Sequence, residues 1–168
     1  DVAHRNLAEQ FAVHSIDRVY QAVAWGVPQK SSGVIEGNIG RSPKNRKKMA
    51  VLARGGKPAE THYRVIRPLG RGPETLAFAA LIECRLKTGR THQIRVHMAH
   101  IGHPIVGDPV YGGRRGRTGH GGDENFGALV AALGRQALHA YRLGFVHPAS
   151  GEQLTFESKL PADLQALL

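Results

Sequence analysis

Apolar and polar positions along the 168 residues change period several times, and each change predicts an element. Over residues 1–14, Ala3, Leu7 and Phe11 recur on one stripe, the spacing of an amphipathic helix. Over 18–25 the period drops to two. Val19, Gln21, Val23 and Trp25 fall on one face and Tyr20, Ala22 and Ala24 on the other, which predicts a strand. Tyr20 therefore projects among small neighbours, either as a packed core tyrosine or as a ring with open space beside it. Residues 28–40, with Gly33, Gly37 and Gly40, read as turns. Residues 60–66 and 77–86 read as strands flanking a Pro/Gly turn near 67–73.

The next stretch, Lys87 to Gly102, reads as a tight Gly turn followed by a short helix. Thr91 is a candidate N-cap, Gly102 suits a left-handed C′ position, and Pro104 discourages continuation. Ile94, Met98 and Ile101 recur at i, i+4 and i+7, so that face packs inward, with Arg95 off the stripe. Arg90, Thr91, His92, Gln93 and Arg95 bring many donors to one place, and such a cluster suits an anion such as a carboxylate or phosphate. Arg90, Thr91, His92 and Gln93 are the candidate substrate-binding set.

Beyond it, residues 105–106 read as a short strand, 111–122 as a basic loop carrying Arg114, Arg115 and Arg117, and 128–138 as a helix. Strands over 140–146 and Gln153–Glu157 are joined by a turn at 147–152, and 160–168 predicts a terminal helix after Pro161. The expected fold class is α+β: one domain over 1–168, with a mixed, mostly antiparallel sheet flanked by helices and loops.

Composition adds a partner class. Lys and Arg outnumber Asp and Glu by 23 to 13, a formal charge of +10, which suits a phosphate-rich ligand. Arg41, Lys44, Arg46, Lys47 and Lys48 lie in one run without an acid, and with Arg114, Arg115 and Arg117 they are the candidate RNA-backbone contacts. Cys84 is the single cysteine, so no disulfide forms within the chain, and a reducing cytoplasm is the expected compartment. No apolar run approaches the ~20 residues of a membrane span, and no signal peptide is visible. The chain opens at Asp1, already inside a helical pattern, as a piece of a longer polypeptide would.

Four histidines, His92, His97, His100 and His103, invite a metal reading, but only His97 and His100 have the spacing to share a helix face. Neither paired cysteines nor an H-E-x-x-H occurs, so no metal is expected. A G-x-S-x-G elbow, a phosphate loop and a dinucleotide fingerprint are likewise missing.

Lys87-Thr88-Gly89-Arg90-Thr91-His92-Gln93-Ile94-Arg95-Val96-His97-Met98, with Gly102-His103-Pro104-Ile105-Val106-Gly107-Asp108, resembles a long motif of the RluA/RluD-type pseudouridine synthases. Arg18 to Gly26 is similar to the strand bearing that family's active-site tyrosine. Lys57 to Tyr63, Leu138-His139-Ala140 and Phe145 to Pro148 resemble further landmarks in the same order. The resemblance covers nearly the whole chain. It implies the pseudouridine synthase fold and a cofactor-free isomerase acting on uridines of structured large-subunit ribosomal RNA; a monomer is expected. In that reaction the N1–C1′ bond breaks, the uracil turns over, and C5 joins C1′, with the base out of its stack. By position, Tyr20 is implied to pack on the target base and handle the C5 proton. Arg95 is implied to pair with the catalytic aspartate, holding it ionised.

The family's aspartate belongs to a His-Arg-Leu-Asp motif on the N-terminal side of the tyrosine strand, and no such motif occurs here. Asp1, Asp17, Asp108, Asp123 and Asp163 stand in other contexts, with Asp108 suited to a turn. The expectation is the C-terminal portion of a catalytic domain, inactive alone, in which Arg95 faces an acid outside the chain. An S4-type RNA-binding domain is an optional addition in such proteins. A non-catalytic RNA-binding module with the same fold is the main alternative, and a histidine-metal hydrolase a distant one.

Overall fold

The computed structural model describes residues 2–70, 77–113 and 124–168. In chain order the elements are α1 (Val2–Ala12), β1 (Asp17–Trp25), β2 (Ser32–Arg41), β3 (Met49–Leu52), β4 (Lys57–Leu69), β5 (Ala79–Leu86), α2 (Gln93–His100), α3 (Glu124–Leu133), β6 (Leu138–Val146), β7 (Gln153–Glu157) and α4 (Ala162–Gln165). The strands form one sheet in the order β3-β2-β4-β5-β1-β6-β7. Every ladder between them is antiparallel. The α+β expectation holds.

β1 lies near the middle, between β5 and β6. Val19, Ala22, Val23, Ala24 and Trp25 are all buried, so the strand is covered on both faces and its alternation does not separate core from solvent. Trp25, on the face opposite Tyr20, meets Phe126 of α3 edge-on at 5.7 Å. Ile94 and Met98 of α2 join the same buried cluster, as the apolar stripe predicts. The β1–β6 register shifts between Val19 and Tyr20: Val19 pairs with Arg142 and Tyr20 with Ala140. A bulge of this kind re-aims a side chain locally, and here it lies beside Tyr20.

Several expectations are corrected. Residues 28–40 are not all turns, since 32–41 form β2. Its glycines mark close approach: a Cβ at Gly33 would lie 2.8 Å from the Tyr63 ring, and one at Gly37 2.6 Å from Val51 Cγ1. β3 went unpredicted because its four residues follow a charged run. β4 extends over 57–69, beyond the expected 60–66. The helix expected over 128–138 is α3 at Glu124–Leu133, and Leu138 opens β6 instead. Residues 105–106 form only an isolated bridge, Ile105 to Ala24. The terminal helix is four residues long. α1 forms as predicted, yet none of its residues is buried, and Phe11 remains 49% exposed. The expected turn at 67–73 and the basic loop of 111–122 lie partly outside the described residues. Among the described residues no helix is long and apolar enough to cross a membrane.

Candidate active site

The turn entering α2 is closed by a glutamine. Gln93 Oε1 accepts from Thr88 Oγ1 at 2.8 Å and from the Arg90 amide at 2.9 Å. Its Nε2 donates to the Glu60 carbonyl and to Thr61 Oγ1, each at 3.0 Å. Thr91 is therefore not the cap. His92 occupies that position with a left-handed φ of 55°, and no side chain caps the helix. Gln93 is buried and its amide is committed to the scaffold, where it fastens α2 to β4.

One turn on, His97 is fully buried, with Nδ1 3.0 Å from Thr61 Oγ1. Its Nε2 is buried and has no hydrogen-bond partner among the described residues. Burial, followed by the charge of His100, lowers its pKa to about 4.

Arg95 is also buried, and it has a partner within the chain that the sequence reading did not assign to it. Nε donates to Asp108 Oδ2 at 2.7 Å and Nη2 to Oδ1 at 2.9 Å, so the carboxylate expected outside the chain has a counterpart within it. Asp108 keeps its expected turn role as well. Oδ1 accepts the amides of Val110 at 2.8 Å and Tyr111 at 3.0 Å. Burial alone would raise the Asp108 pKa. The Arg95 hydrogen bonds, the two amides and the Arg95 charge outweigh it and hold the pKa below the usual carboxylate value. The Arg95 pKa is raised, first by the hydrogen bond to Asp108.

Tyr111 completes this cluster. Its ring lies 4.9 Å from Arg95 Cζ, a cation–π contact. Its hydroxyl accepts the Met49 amide at 3.0 Å and lies 2.9 Å from His92 Nδ1. Burial, then the Arg95 charge, lowers the His92 pKa, with Asp108 opposing.

Tyr20, Arg90, His92 and Arg95 line one cleft of about 360 Å³ with Leu86, Ile94, Gln136 and Leu138; Gln93 contributes to its wall. The structure thus brings Tyr20 and Arg95 together. Thr91 is exposed and lies outside this lining; it edges a neighbouring groove shared with Arg41 and Arg90. Asp108 and Tyr111 were missed as site residues. An aspartate two and three residues before free amides is a turn signal, and nothing local announces its second partner.

The basic run divides. Lys44, Arg46 and Lys47 are exposed. Arg41 Nη1 is bound to the Arg46 carbonyl at 3.0 Å, and Lys48 Nζ to the Val110 carbonyl at 2.8 Å, so those two also brace the loop. Arg114, Arg115 and Arg117 lie outside the described residues. No group of three or more His, Cys, Asp or Glu among the described residues is placed to hold a metal ion.

The family profile for RNA pseudouridylate synthases matches residues 1–100, which include Tyr20 and Arg95. Ribosomal large subunit pseudouridine synthase D of Zymomonas mobilis is 50% identical over 170 residues, covering 99% of this chain and 49% of that protein. The Neisseria meningitidis serogroup A protein of the same name is 48% identical, over 99% of this chain and 41% of its own length. The chain thus spans about half the length of the curated relatives it matches. Among solved structures, human RNA Pseudouridylate Synthase Domain Containing 1 aligns with a TM-score of 0.69 at 27% identity, over 92% of this chain and 59% of that one. A fold, a tyrosine–arginine cleft and sequence relatives agree: this chain belongs to the RNA pseudouridylate synthase family.

Proposed function

We propose that residues 1–168 are the C-terminal portion of the catalytic domain of a pseudouridine synthase acting on large-subunit ribosomal RNA, and that the carboxylate attacking the sugar comes from outside them. One observation carries this reading: Tyr20 and Arg95 share a cleft whose described lining holds no carboxylate. Asp108 does not fill the role, since its side chain is fully buried and both oxygens are engaged by Arg95. Uracil turned out of its stack lies against the Tyr20 ring, and Arg95 orients the incoming carboxylate. Breaking N1–C1′ and joining C5 to C1′ leaves the C5 proton to be removed, the step assigned to Tyr20.

Names of the relatives support ribosomal RNA as substrate, and the +10 charge supports RNA as partner. The setting is cytoplasmic and the active unit a monomer without cofactor. Tritium release from RNA containing 5-tritiated uridine tests the reading. No release by residues 1–168 and turnover by the longer parent protein are expected. Turnover by residues 1–168 alone refutes the external carboxylate. The absence of a carboxylate from the described lining also favours one second reading, a non-catalytic RNA-binding module. A parent protein that binds RNA but releases no tritium would establish it.

A further inference from the structure

We infer that Arg18 binds a phosphate of the RNA strand beside the cleft; this rests on the RNA reading above. Arg18 precedes Tyr20 by two residues on β1, and the register shift skips Tyr141 on β6 rather than a residue of β1, so strand alternation puts both side chains on one face of the sheet. Its Cζ lies 5.6 Å from the centroid of the Phe11 ring. It also lies against the turn that opens α2, so closely that a Cβ at Gly89 would collide with Nη1. The glycine lets the turn close on the guanidinium.

Among the described residues no anion pairs with the group. Arg18 Nε is buried and has no hydrogen-bond partner among the described residues. The acids of β1 and β5 are committed elsewhere: Asp17 to Arg142 at 2.9 Å and Arg85 at 3.7 Å, Glu83 to Arg64 at 3.3 Å and Arg85 at 3.2 Å. A guanidinium partly withdrawn from water with no counter-charge destabilises a fold, and an external anion removes that cost. Its forked donors match a phosphate, and Arg90, next to Gly89 and on the cleft wall, adds a second cation to the same turn. A nucleotide whose base enters the cleft carries its phosphates outside it, and Arg18 is not among the residues lining that cleft.

The test uses residues 1–168, a fluorescein-labelled uridine-containing RNA hairpin and anisotropy titrations across a potassium chloride series. Arg18→Met keeps a long apolar stem against Phe11 and removes the unpaired donor. It is expected to unfold at the wild-type temperature or higher, yet to bind RNA more weakly, with the log K against log salt slope shallower by about 0.7–0.9, one phosphate contact. Arg18→Lys is expected to keep the wild-type slope. Gly89→Ala, which displaces the guanidinium without changing charge, is expected to weaken binding. A folded Arg18→Met variant with wild-type slope and affinity overturns the assignment and leaves the function reading standing. If that variant does not fold, wild-type affinity in Gly89→Ala overturns it. A wild-type chain without salt-dependent RNA binding overturns both.

Discussion

Arg95 and Asp108 meet edge to edge, Nε on Oδ2 at 2.7 Å and Nη2 on Oδ1 at 2.9 Å, thirteen residues apart in the chain. The pair uses one side of the guanidinium and leaves Nη1 without a partner among the described residues. A second carboxylate can therefore reach Arg95 while Asp108 holds it in place. Removing one member of a buried pair strands the other's charge, so Asp108→Ala is expected to lower stability by about 3–5 kcal/mol. Urea unfolding measures it. The double variant Arg95→Met with Asp108→Leu, with no charge to strand, is expected to recover much of the loss; no recovery would mean that packing, not pairing, carries the cost.

Acid should weaken the fold in two separable steps. His97 has a folded pKa near 4 against 6.5 unfolded, so the unfolded chain takes up its proton first. Its contribution is complete above pH 6.5 and is lost as pH falls towards 4, up to about 3 kcal/mol. Asp108, whose folded pKa is depressed, contributes fully above the unfolded carboxylate value of about 3.9 and loses that contribution below it. Unfolding free energy measured from pH 8 to pH 2 should show both limbs. His97→Gln should flatten the upper one, and an unchanged upper limb in that variant would remove His97 as its cause.

Gln93 ties the turn before α2 to β4 through four hydrogen bonds. Gln93→Leu fills similar volume but leaves those partners unmatched, at about 1 kcal/mol for each bond, or about 2–4 kcal/mol in all. Hydrogen exchange should then show the amides of α2 opening faster than those of β6. Equal protection in variant and wild type would show that the glutamine does not hold the helix.

Gly37 lies diagonally from Val51, the register partner of Ile39 in the β2–β3 ladder, and a Cβ there would sit 2.6 Å from Cγ1. Gly37→Ala is expected to push β3 outward and cost about 1–3 kcal/mol. Adding Val51→Ala makes room and should restore part of it in thermal unfolding. Additive losses in the double variant would count against the contact.

The family motif, the strand of Tyr20, the apolar stripe of α2 and the turn between the last two strands were legible in the sequence. Each depends on neighbours a few residues apart, whose spacing sets periodicity and turn chemistry directly. Residues 28–40 were misread for the same reason. Gly33, Gly37 and Gly40 look like turn residues locally, and only the side chains of Tyr63, Val51 and Leu52 on adjacent strands show why a strand needs them there.

The site divides in the same way. Sequence alone placed Tyr20 and Arg95 as candidates, and marked Arg95 as a donor in want of an acid. The tertiary structure decided that Arg95 also holds Asp108, that Gln93 serves the scaffold, and that Arg18 stands beside the turn at Gly89 without a carboxylate among the described residues. Which acid meets which base depends on the path of the backbone between them, and residue spacing carries no record of that path.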